Sequence, residues 1–414
     1  MPADAQIRPD HPSTPSAIEV RITQAGDALH KGLSGVLDRV PGSDAGPQKL
    51  AGQLGIDKVL ASRLLKALRS PDPMSVVHRA PGPEPLRRVI KGSARLGVDA
   101  SLIAEAAAAV DRFERLIRSD IGDRSALEAI LSAWVPEARR EFELRRKQAA
   151  YRAMSQLKGV ECDVYAEASI LWPSADGTHV DVVWIKSVIG LRRLRPGVPV
   201  HFTSRRRVEG VEGRLPRNLA GEPVDSVRGA VIEDFSTDPV PALKTAIVGE
   251  STHYLLDEPG FGSGSAVNLV TCEVNRAELP RYVPRARNRR TWSSSDINIP
   301  ARRNQFDLFI HPDLYPDESP DLRIYDTAIR GQADVNDPTR DIDRMDLMDS
   351  VEPLGKGLVR FGSSDVPRYR GLLEHVLAGL SFDPDRLRGY RVASEYPIYG
   401  SQFAMTLRTT DPPA

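Results

Sequence analysis

Apolar positions recur every three or four residues from Ser16 to Leu157 and change to a strand-like rhythm at Gly159. The pattern therefore predicts a helical N-terminal part followed by a β-rich one. Ile18, Ile22, Ala25, Leu29, Leu33 and Leu37 place a helix over 16–39, with Ser16 as its cap, although Gly26, Gly32 and Gly35 weaken it. Leu50, Ala51 and Leu54 form one short apolar face. Ile56, Leu60, Leu64 and Leu68 form a second, widened by Ala61 and Leu65. Between the two lies Gly55, where the chain must turn sharply and a side chain would obstruct it. Pro47 suits a first helical position, and Asp57 can accept from free N–H groups at the start of the second helix. Residues 46–70 thus read as two helices joined by a tight turn.

Beyond a stiff hinge at Pro81-Gly82-Pro83-Glu84-Pro85 the helical spacing continues. Leu86, Val89, Ile90 and Leu96 mark one helix. Ile103, Ala106, Ala107, Val110, Phe113 and Ile117 mark another over 99–119. A shorter helix is expected from Ala126 to Trp134 and a long charged one from Glu137 to Leu157. The alanine run Ala106 to Ala109 predicts close contact between helices. In the second half, Val160 to Trp172 and His179 to Val188 read as a hairpin around Asp176-Gly177. Further strands are expected at 198–204, 227–233, 252–256, 266–274, 305–311, 321–326, 388–396 and 401–408, with a single strong helix from Tyr369 to Leu380. Strands do not alternate regularly with helices, which argues against a doubly wound parallel sheet. Residues 205–226, 281–303 and 313–352 read as long charged linkers, the second rich in arginine and the third in acids, so that the last two could pair with each other or within an oligomer.

Charge sharpens the reading of residues 46–70. The 414-residue chain has a formal net charge of zero, with 56 basic and 56 acidic residues. From Lys49 to Arg95, however, ten Lys or Arg stand against three acids, Asp57, Asp72 and Glu84. Such an uneven distribution is what a phosphate-binding module needs. The outer face of the second helix carries Lys58, Ser62, Arg63 and Lys66.

This stretch resembles the helix-turn-helix part of bacterial transcription regulators, including winged-helix types such as the IclR and MarR families. Leu50-Ala51, Leu54-Gly55-Ile56 and Ser62-Arg63-Leu64-Leu65-Lys66-Ala67-Leu68 carry the resemblance. In those families the second helix lies in the major groove of double-stranded DNA. The resemblance implies that Arg63 contacts guanine, that Lys49, Lys58 and Lys66 contact phosphate, and that Ser62 does either. It also implies a wing after the second helix. Following Ser70-Pro71-Asp72-Pro73, only Met74 to Arg79 has the composition of its strand.

No catalytic constellation emerges elsewhere. Gly260 to Ser265 is glycine-rich but lacks the Lys-Ser/Thr of a phosphate-binding loop, and strand residues follow it where a helix would be needed. His179 and Asp181 would share a strand face, but two ligands do not make a metal site. Asp334-Val335-Asn336-Asp337 opens like a calcium loop and lacks its glycine and final glutamate. Cys162 and Cys272 belong to no CxxC pair and sit in apolar surroundings, as small buried hydrophobes do. No apolar run approaches the length of a membrane span, and Met1 to Asp10 lacks the apolar core of a signal peptide.

The expected fold class is α+β. A disordered lead (1–15) precedes a helix-turn-helix module (16–80). A helical connector and candidate dimerisation region (81–158) leads to a mainly antiparallel β-rich domain (159–414). The expected function is sequence-specific DNA binding in the cytoplasm, without cofactor or metal. The expected protein is a homodimer or higher homo-oligomer, and its C-terminal domain senses a small-molecule effector or assembles subunits. The Ala-rich helix or the 137–157 helix could supply the dimer interface. Two alternatives stand beside this reading. One is a partner-binding protein whose helical hairpin is internal, with Lys58, Arg63 and Lys66 covered by the connector. The other is an enzyme with a pocket near Gly260–Ser265 or His179 and Asp181.

Overall fold

In the computed structural model, which describes residues 16–41, 43, 46–206, 216–249, 251–257, 260–316 and 318–412, Ser16 caps the first helix reciprocally. Its Oγ accepts from the Glu19 N–H and the Glu19 carboxylate accepts from the Ser16 N–H, both at 3.2 Å. The lead expected over 1–15 lies outside the described residues. Helices follow in order: α1 (Ala17–Leu37), α2 (Pro47–Leu54), α3 (Lys58–Leu68), α4 (Pro73–Arg79), α5 (Pro83–Arg95), α6 (Ala100–Arg115), α7 (Arg124–Leu131) and α8 (Pro136–Lys158). The chain divides into two units, Met1–Glu143 and Leu144–Ala414, with the division inside α8.

The first unit is all helix among its described residues, and one core runs through it. Leu29, Leu50, Leu64, Val89, Phe113 and Leu127 from six different helices belong to that core. The glycines that weaken α1 on propensity have a packing role. A Cβ on Gly26 would lie 2.1 Å from the Pro73 carbonyl oxygen, so α1 meets the start of α4 backbone to backbone. Gly26→Ala should gain about 1 kcal/mol of helix propensity but must push that contact apart. A net destabilisation of about 1–3 kcal/mol is expected, read as a lower urea midpoint; an unchanged or higher midpoint would show that the helices can separate freely. Ala106 and Ala109 are buried against Gly32 of α1. The close contact expected of the alanine run is thus made inside this unit, and that face of α6 is not free for a dimer.

Met74 to Arg79 is not a wing strand but helix α4. Asp72 accepts from the Ser75 N–H at 2.9 Å and Pro73 occupies the first turn, so the capping chemistry outweighs the β preference of Val76-Val77. Both valines are buried. No strand follows α3 among the described residues of this unit, and the winged-helix expectation fails with it.

The second unit is built on strands: β1 (Val160–Pro173), β2 (His179–Arg193), β3 (Val200–Arg206), β4 (Leu243–Val248), β5 (Ser251–Leu256), β6 (Val267–Pro280), β7 (Arg290–Asp296), β8 (Ala301–Ile310), β9 (Asp321–Asp326), β10 (Glu352–Lys356), β11 (Arg388–Glu395) and β12 (Ser401–Arg408). A six-stranded sheet has the order β10-β11-β8-β1-β2-β6, and three-stranded sheets have the orders β7-β12-β9 and β3-β5-β4. Every ladder is antiparallel except β1 with β8. The fold is α+β, a helical region followed by mainly antiparallel sheets.

Alternation along β1 sends Val164, Ala166, Ala168 and Ile170 to one face of the large sheet. There they share a core with Leu372, Leu373 and Val376 of the helix α9 (Tyr369–Gly379). Tyr165 and Leu171 point to the other face, in a core with Phe403 and Met405 of β12 and Phe202 of β3. The strand expected over 227–233 is instead a short helical turn, Val227–Ala230, and a 3-10 turn, Glu233–Phe235. Its apolar residues Val227, Ala230 and Ile232 are buried at uneven spacing, which a strand cannot satisfy. The segment 281–303, expected as a linker, contains β7 and the start of β8. One of its seven arginines pairs with the acidic segment, Arg290 Nη1 lying 3.0 Å from the Asp321 carboxylate. Residues 207–215 of the first expected linker lie outside the described residues. Among the described residues no helix is long and apolar enough to cross a membrane.

Candidate nucleic-acid interface

Three local devices fix the α2–α3 hairpin. Pro47 opens α2, where its missing N–H is no loss. Gly55 ends α2 in the left-handed region (φ 65°, ψ 40°), and the Ile56 N–H returns to the Ala51 carbonyl at 3.1 Å. Asp57 then caps α3, its carboxylate accepting from the Leu60 N–H at 2.7 Å. The turn therefore has only three residues. Leu50, Ala51 and Leu54 of α2 and Leu60, Ala61, Leu64 and Ala67 of α3 are buried in the core of the first unit.

The opposite side of α3 carries the residues singled out from sequence. Lys58, Arg63 and Lys66 are exposed, Ser62 is half-buried, and Lys49 is exposed on the first turn of α2. Among the described residues none of the four cations forms an ion pair. Elsewhere in the unit acids neutralise several arginines. Arg87 meets Asp111 at 2.8 Å and also Glu84 and Glu114. Arg21 meets Asp120 at 3.1 Å and Arg124 meets Glu128 at 3.5 Å. Sequence periodicity had passed over Val59, which is 69% exposed on the first turn of α3, on the outer side with Lys58 and Arg63. Its signal was available, since it falls outside the leucine row of that helix.

The other candidate residues do not converge. His179 Nδ1 lies 2.7 Å from the Asp176 carboxylate, whereas Asp181 accepts from Ser174 Oγ, from Arg276 Nη1 at 2.6 Å and from the Ala277 N–H at 2.9 Å. The two therefore serve different contacts. In the Gly260–Ser265 segment, Ser265 Oγ donates to the Gly262 carbonyl at 2.9 Å and the Gly262 N–H donates to the Arg193 carbonyl of β2 at 2.8 Å. Asp334 and Asp337 accept from the nearby N–H groups of Asn336 and Thr339. Among the described residues no group of three His, Cys, Asp or Glu is placed to hold a metal. Cys162 and Cys272 are buried, and burial pushes both thiols well above their usual range. The second unit has a cavity of about 270 Å³ lined by Asn218, Ile232, Glu233, Cys272 and His375 among others, and by none of His179, Asp181 or Gly260–Ser265.

Two charge groups in the second unit, one buried and one half-buried, have internal partners. Asp307 of β8 accepts from Arg391 of β11 and from Tyr369, the first residue of α9. Glu167 of β1 pairs with Lys186 of β2, directly across the ladder. Near Glu167 and Lys186 lies Asp296, whose carboxylate accepts from the Gln332 amide.

No protein-family profile matches this chain, and no curated protein matches it. Among solved structures, a proposed protease from Parabacteroides distasonis is similar with 9% identity and a TM-score of 0.27, over 60% of this chain and 40% of that protein. A likeness at that level carries no argument about fold or activity here.

Proposed function

We propose that the protein is a cytoplasmic, sequence-specific DNA-binding regulator that reads double-stranded DNA through α3. One observation carries the reading: Lys58, Arg63 and Lys66 stand exposed on the outer face of α3 and, among the described residues, form no ion pair, directly after a three-residue glycine turn, while the inner face is buried. In this reading α3 enters the major groove. Arg63 donates to guanine, Val59 meets thymine methyl groups, and Lys49, Lys58 and Lys66 neutralise phosphates. Ser62 contacts either base or backbone. The rival in which the hairpin is internal required these cations to be covered, and their exposure weighs against it. The protein acts as a homodimer or higher homo-oligomer on repeated half-sites, and its β-rich unit senses an effector or joins subunits.

The test is binding to random-sequence duplex DNA at low and moderate salt, followed by selection of the preferred site. Salt-sensitive binding is expected, lost when Arg63→Ala and Lys66→Ala are combined. Arg63→Ala alone should cost about 1–3 kcal/mol on the selected site and relax its specificity. Lys66→Ala should weaken binding evenly across sequences. Wild-type affinity in the Arg63 variant would remove α3 from the groove.

A further inference from the structure

We infer that α5 supplies a second phosphate-contacting stripe, Arg88, Lys91 and Arg95, beside the DNA-reading hairpin; the inference rests on the DNA-binding reading above. The three residues are spaced three and four apart, so they share one face of α5. All three are exposed, while Leu86, Val89, Ile90, Gly92 and Ser93 turn inward. Among the described residues none of the three forms an ion pair. Arg87, one turn before Lys91 on the same helix, is by contrast held by Glu84, Asp111 and Glu114. The helix thus keeps one cation for internal pairing and leaves three unneutralised.

Their position relative to the hairpin is fixed by a backbone contact. A Cβ on Gly92 would lie 2.5 Å from the Leu54 carbonyl oxygen, so α5 rests directly on the last turn of α2. One turn further on, the Arg95 guanidinium reaches the hairpin turn: its Nη2 is 3.9 Å from where a Cβ on Gly55 would sit. The start of α3, which a helix-turn-helix directs at base edges, is therefore flanked by Arg95, with Lys91 and Arg88 trailing away along α5. Cations in that position meet the sugar–phosphate backbone bordering the groove. The ligand chemistry is duplex phosphate, and the contact is blind to sequence.

The experiment is a salt titration of binding to random-sequence duplex DNA, using the full chain and the triple variant Arg88→Gln/Lys91→Gln/Arg95→Gln. Each lost phosphate contact should make the slope of log affinity against log salt shallower by about 0.9. The triple variant should therefore be shallower by about 2–3, and its affinity should fall by the same factor on the selected site and on random DNA. The control is Arg112→Gln/Arg115→Gln, which removes exposed charge from α6 and should leave the slope unchanged. Thermal unfolding of each variant separates lost binding from lost folding. A triple variant with the wild-type slope, while Arg63→Ala/Lys66→Ala weakens binding, overturns the α5 stripe and leaves the α3 reading standing. A wild-type protein that fails to bind duplex at low salt overturns both.

Discussion

Asp307→Ala should destabilise the second unit by about 3–5 kcal/mol, the largest single-residue effect expected in the molecule. Asp307 is fully buried at the centre of β8. Arg391, its register partner on β11, donates to it twice, from Nε to Oδ1 and from Nη2 to Oδ2, both at 2.7 Å. Tyr369 Oη donates at 2.5 Å and Gln305 Nε2 at 3.0 Å. The carboxylate is thus the point where strand, neighbouring strand and the first residue of α9 are joined. Its removal leaves a nearly buried guanidinium with no carboxylate opposite it, and that uncompensated charge dominates the cost. Tyr369→Phe takes away one neutral donor and should cost about 1–3 kcal/mol. Urea unfolding followed by tryptophan fluorescence reads both. A cost for Asp307→Ala no larger than that for Tyr369→Phe would mean that Arg391 finds water or another acceptor.

The second large effect is a dependence of stability on pH centred on Asp296. Burial, reinforced by the negative charge of Glu167, pushes its carboxyl up to about 6; Lys186 and the Gln332 amide pull the other way. The folded protein therefore holds this proton more tightly than the unfolded chain, where an aspartate titrates near 4. Stability from this group is full below pH ~4 and is lost as pH rises through about 6. The gap corresponds to about 3 kcal/mol. Asp296→Asn mimics the protonated carboxyl and should remove the loss. The variant should match the wild type at pH 4 and be more stable by up to about 3 kcal/mol at pH 7. Thermal unfolding across that range gives the difference directly, and a difference that stays constant with pH would show Asp296 to ionise as a surface carboxylate does.

What could be read from sequence was local. Pro47, Gly55 and Asp57 act on their own neighbours, so the helical hairpin was legible, and periodicity placed Lys58, Arg63 and Lys66 outward. The wing failed because Val76-Val77 suggested a strand while Asp72-Pro73, a helix start, carried more weight. Strand β7 was hidden by its composition, Arg-Thr-Trp-Ser-Ser-Ser-Asp, which lacks the branched apolar residues of a central strand. The α5 stripe was present in the sequence as charge but not as a site. Its place beside Gly55 depends on the Gly92–Leu54 contact, which no spacing rule reports. The same holds for Asp307 and Arg391, ordinary charges in sequence that become a buried pair only once β8 and β11 lie side by side.

The parallel pairing of β1 with β8 has a consequence for biosynthesis. As the chain leaves the ribosome, β1 can close a hairpin with β2 at once, because the two are adjacent in sequence. Its other edge must wait for Ala301–Ile310, with all of residues 174–300 still to be made. At about 5–20 residues per second that interval is roughly 6–25 s. During it an unpaired edge of valine, tyrosine and isoleucine stands open to other nascent chains. Glu167 and Ser169 interrupt the apolar residues of β1, so the run that a foreign strand would meet is not continuously apolar.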